Sequence, residues 1–78
     1  MECEYILVRT TYSKGDLARV GYGIALAQEC DGNAMILESF PDLSPDSEKV
    51  EALVRICNEL ALEPIHLGDV VQDFLFEA

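Results

Sequence analysis

His66 and Asp69, three residues apart near the C-terminus, are the pair in this chain best suited to proton-transfer chemistry. An imidazole beside a carboxylate can serve as a general base or supply two ligands to a metal. Two ligands without a third at close spacing are nonetheless a weak metal pattern. His66 also falls at the start of a helical segment, where a residue at the third helical position, here Asp69, can bond back to the cap. The structural role is preferred, and no metal, cofactor or catalytic residue is expected. Cys57 offers a thiol nucleophile with His66 as its base, the two meeting only on folding. It sits on the apolar stripe of a helix, however, where a thiol packs as a small hydrophobe. Asp69, Asp73 and Glu77 recur at i, i+4 and i+8 and form one acidic strip. Together with His66 they are the candidate partner-binding residues, a strip for a basic protein surface that Gln72 and Glu63 extend. The competing reading is a solvated helix face, with Asp69 favoured by the helix dipole.

Gly21 and Gly23 are a further candidate. In the run Leu17 to Gln28, bulky Val20, Tyr22, Ile24 and Leu26 alternate with Gly21, Gly23, Ala25 and Ala27, which describes a strand with one nearly bare face. Glycines inside a strand mark a bulge or the close approach of another backbone. A helix packed across them is the preferred explanation and a ligand or partner backbone the alternative. A Gly-x-Gly pair alone lacks the third glycine of a dinucleotide fingerprint.

The elements that must carry these residues follow from periodicity. Residues 3–12 are rich in β-branched and aromatic types and read as a first strand, ended by turn chemistry at Ser13 to Asp16. The second strand covers 17–28, Asp31-Gly32-Asn33 makes a tight hairpin, and the third strand covers 34–40, with Pro41 as its end. Ser44 and Pro45 then read as the cap and first residue of a helix over 45–61. Its core stripe is Val50, Leu53, Val54, Cys57, Leu60 and Ala61. Pro64 separates it from a second helix over 67–76, whose stripe is Leu67, Val70, Val71, Phe74 and Leu75, with Phe76 off the stripe. The order predicts an α+β fold: a three-stranded antiparallel meander with both helices packed on one face, in a single domain. Such a sheet normally shows water its other face, yet Tyr5 to Val8 and Met35 to Leu37 are apolar on both. Something should cover the second face or an edge, and a homodimer is the preferred candidate.

Fifteen acidic against five basic side chains leave a formal charge of −10 on 78 residues. That sign disfavours nucleic acid and anionic membranes as partners and suits a basic protein. Residues 42–78 hold nine carboxylates against Lys49 and Arg55, a local charge of −7. With 50% hydrophobic residues the chain is too apolar for disorder. Cys3, Cys30 and Cys57 are odd in number and widely spaced, which reads as reduced thiols. The acidic start lacks a secretory pattern, and no run approaches the ~18 apolar residues of a membrane span, so a cytoplasmic location is expected.

The segment Leu53 to Leu60 followed by Pro64 to Leu75 resembles the C-terminal signature of a small uncharacterised family of Firmicutes, chiefly clostridia. Tyr22-Gly23-Ile24 is similar to a further motif of that family. The likeness is strongest over 44–76; Gly68 departs from it where a polar or basic residue is the rule. It implies a cytoplasmic bacterial protein and assigns no activity. The sequence thus leads to a small acidic, non-enzymatic interaction or regulatory module. One alternative is a small-molecule binder or enzyme using a cleft formed by Gly21, Gly23, His66 and Asp69. Another is an acidic mimic of nucleic acid that occupies a basic protein.

Overall fold

The computed structural model describes residues 2–77, with the elements β1 (Glu2–Lys14), β2 (Leu17–Cys30), β3 (Asn33–Ser44), α1 (Ser47–Glu59), a 3₁₀ turn (Pro64–His66) and α2 (Leu67–Glu77). The strands form one antiparallel sheet in the order β1-β2-β3. The fold is α+β, βββαα. Both hairpins close with two residues, Gly15-Asp16 and Asp31-Gly32, between the pairs Lys14–Leu17 and Cys30–Asn33. Asp31 and Gly32 both take positive φ, 52° and 83°, the backbone twist that lets such a short loop follow the twist of the strands.

The core lies between the sheet and the helices. Tyr5 pairs with Leu26 and Leu7 with Ile24 across β1 and β2, and Phe40 pairs with Ile24 from β3. Tyr5, Ile24 and Leu26 pack with Leu53 and Cys57 of α1 and with Leu67 and Val71 of α2. Ile24, Leu26, Val50 and Leu67 are fully enclosed, each contributing about 1.5–3 kcal/mol by leaving water. No helix among the described residues is long and apolar enough to cross a membrane.

Three local expectations need correction. Pro41 does not end the third strand, which runs on to Ser44. Two register shifts, one opposite Leu26/Ala27 and a wider one opposite Tyr22 to Ile24, loop residues out of β3. Proline is tolerated there because a looped-out edge residue has no ladder bond to donate. Because Ser44 still pairs with Tyr22, the cap of α1 moves to Asp46, whose carboxylate accepts from the Glu48 and Lys49 amides. Ser44 Oγ instead accepts from the Asp46 amide and orients that cap. At the other end α1 stops at Glu59, and Ala61 turns left-handed with φ 48°. The Leu62 amide reaches back to the Cys57 carbonyl and the Ala61 amide to that of Asn58, a Schellman closure. That turn throws Leu60 into water, 72% exposed, and returns Leu62 to the core in its place.

Candidate functional site

The glycine pair is explained by the chain itself. Strand alternation puts Gly21 and Gly23 on the side of Ala25 and Ala27, which lie outside the cluster formed with the helices. The looped-out Phe40–Asp42 backbone lies there, so a Cβ on Gly23 would strike the Phe40 carbonyl and approach Pro41 Cα to 2.7 Å. A Cβ on Gly21 would strike the Asp42 carboxylate. The preferred expectation, a helix across the glycines, is therefore corrected: the neighbouring strand's own bulge fills the space. The cleft proposed from Gly21, Gly23, His66 and Asp69 does not assemble, since the glycines face away from the helices.

His66 is exposed in the 3₁₀ turn, its amide donating to the Glu63 carbonyl. Because that turn runs straight into α2, no hydrogen bond from Asp69 back to a cap is found among the described residues. Asp69 and Asp73 are exposed on α2 as the strip requires, while the side chain of Glu77 lies outside the described residues. Asp69 and Gln72 also border a groove of about 530 Å³ between α2 and β3, whose floor is Phe40, Leu43 and Val71. Leu75, expected in the core stripe, is half-exposed at its rim. Cys57 is buried, and desolvation raises its thiol above the ordinary value, which makes it less of a thiolate. Cys3 and Cys30 are exposed. No three His, Cys, Asp or Glu side chains among the described residues converge as a metal cluster.

A polar lock that periodicity does not reveal joins the first strand to the first helix. Asn58 Oδ1 accepts from the Tyr5 amide at 2.8 Å, and Asn58 Nδ2 donates to the Tyr5 carbonyl at 2.9 Å. Tyr5 Oη donates to the Leu62 carbonyl at 2.7 Å. One side chain thus supplies both groups a further strand would have offered, sealing the outer edge of β1 at that residue. Burial, and then the neighbouring Cys57, Glu38 and Cys3, raise the Tyr5 hydroxyl above its ordinary value. The one available signal was Asn58 itself, a poor helix former beside the apolar stripe near the helix end.

The surface left for contact is the sheet's second face. Ile6, Val8, Ala25, Ala27 and Ile36 share it by register, and the helices do not cover it. Ala25 is only 1% exposed there, between its register partners Ile6 on β1 and Ser39 on β3. Ile36 is half-exposed, as are Met35 and Leu37 along the outer strand. Beyond Tyr22 the β1–β2 hairpin runs on without β3 pairing, tied to β3 by the 2.8 Å ion pair of Arg19 with Asp42. Arg19 also lies 5.6 Å from the Tyr12 ring centre.

No curated protein and no solved structure matches the chain. A match to a family model spans residues 1–77 and takes in the strands as well as the helical segment that carried the resemblance. The chain belongs to that family, a family of unknown function (DUF6514).

Proposed function

We propose that the protein is a small, non-enzymatic interaction module that works through the uncovered face of its sheet, as a homodimer. The observation that carries this reading is the one-sided placement of the helices. They bury Ile24 and Leu26, while half-buried Ile6 and Val8 and half-exposed Ile36 remain on the face away from them, which within the chain only the Phe40–Asp42 bulge over Gly21 and Gly23 partly covers. Contiguous apolar surface of this kind mark interaction sites in soluble proteins. The exposed carboxylates of the helices point the other way, free to meet a basic partner or to keep the assembly soluble. A non-catalytic role is favoured by the burial of Cys57 and by the separation of His66 from the glycine face. Sedimentation equilibrium tests the reading. The wild type is expected to dimerise in the micromolar range, and Val8→Glu to be monomeric while keeping a cooperative melting transition that, unlike the wild type's, does not shift with protein concentration. A wild type that stays monomeric at high micromolar concentration, without binding an apolar dye, defeats it.

A further inference from the structure

The uncovered sheet face is polarised along its strands, and the polarity selects one way for two copies to stack. The register of β1 with β2 is unbroken, so even-numbered residues of β1 and odd-numbered residues of β2 share this face. At the hairpin end near Asp31 it holds Glu4 and Glu29, both exposed. They border a hollow of about 640 Å³ whose lining includes Ala27 and Ala34. The middle is Ile6, Val8, Ala25 and Ala27. At the opposite end, on the unsupported hairpin, the same face holds Tyr12, Lys14, Leu17 and Arg19. Leu17 is 79% exposed, and the Arg19 side chain keeps 71% of its surface despite its bond to Asp42. Asp42 and Asp16 balance the two cations in formal charge, so this end is neutral where the other is acidic; among the described residues the acidic end has no basic residue on this face.

With their strands aligned, two sheets meet face to face about a two-fold axis in two ways. An axis along the strands sets the acidic ends over one another. An axis across the strands sets each acidic end over the partner's Lys14–Arg19 end, with apolar middle on apolar middle. Apolar contact supplies the affinity in either case, and charge decides the orientation, since juxtaposed like charges cost more than a rim pair gains.

We infer that this face pairs with a second copy of the chain in the antiparallel stack, each Tyr12–Arg19 hairpin end entering the acid-rimmed hollow of the other. The inference rests on the docking-face reading above. With the axis crossing β2 beside Ile24, Arg19 of one copy comes over Glu29 of the other. The same operation lays the raised Pro41–Asp42 bulge over the low floor formed by Ala25 and Ala27. Both contacts are made twice, as an isologous interface requires.

Complementary charge reversal tests this on the full chain. Lys14→Glu/Arg19→Glu makes both ends acidic, and Glu4→Lys/Glu29→Lys makes both ends basic. Each double variant is expected to self-associate about tenfold more weakly than wild type or worse. Mixed in equal amounts, they are expected to form heterodimers well above the statistical share, counted by native mass spectrometry from their different masses. Either double variant dimerising like the wild type, or a mixture without excess heterodimer, overturns the stack while leaving the docking face standing. A monomeric wild type overturns both. Should a double variant lose its melting transition, Lys14→Glu and Glu29→Lys, single changes at exposed positions, provide the same comparison.

Discussion

Asn58 stands in for a missing neighbour strand at a single residue of β1. Its amide group satisfies the Tyr5 N–H and C=O together, and replacing it leaves both without a protein partner at the margin of the core. Asn58→Ala is expected to lower stability by about 1–3 kcal/mol, measured by urea unfolding. The buried acids beside it give the stability a definite pH dependence. Cys57 and Tyr5 are both raised in the folded chain, from 9.0 and 10.0. The unfolded chain therefore loses these protons first, and unfolding becomes easier as pH rises. Their contribution is complete below pH 9.0, the ordinary value for Cys57, and disappears as the pH passes the raised values. Melting temperatures should thus fall above that point, and fall less in Cys57→Ala, relative to its own value at neutral pH. A loss equally steep in that variant would remove Cys57 from the account.

At the scale of elements, β3 is where composition and structure part company. Alternation in β2 and the helical stripes around Val50, Leu53, Cys57, Leu67 and Val71 were legible, because each obeys one period over several turns or pairs. The bulges were not legible, because a looped-out residue obeys no period, and Pro41 taken alone reads as a stop. The two glycines of β2 carried the missing information, since they record the approach of a backbone without saying whose. Gly23→Ala is expected to cost about 2 kcal/mol or more, because the atoms it meets belong to the Phe40 and Pro41 backbone and cannot rotate away. A change at Gly68, where an added Cβ meets nothing within 4 Å, provides the comparison in the same denaturation series. The limits of α1 were misread for a related reason: Ser44 is a good cap by type, but the strand pairing already holds it. The candidate site was legible only as an unsatisfied apolar face. His66 and Asp69 stand on the helical side and the glycines face the other way, so the sheet itself comes between them.

For the whole molecule, the helical carboxylates and the apolar sheet face are separated. The helices carry Glu48, Glu51, Glu59, Asp69 and Asp73 outward on one side, and the uncovered sheet face lies on the other. This arrangement lets two copies join without bringing their acidic helices together, so repulsion between subunits stays beyond the Debye length, about 8 Å in physiological salt. Self-association through the sheet is then compatible with a chain of charge −10. The Tyr5–Asn58 lock has a further consequence, since it ties positions 53 apart in the chain. Amides on the unpaired side of an edge strand ordinarily trade their hydrogens with solvent quickly. The Tyr5 amide is held by a helix that leaves only when the whole domain opens. In deuterated water it should be protected to nearly the global unfolding free energy, while the amides of Cys3 and Leu7, pointing the same way, are labelled early. A Tyr5 amide labelled as fast as theirs would mean that α1 lifts off the sheet by itself.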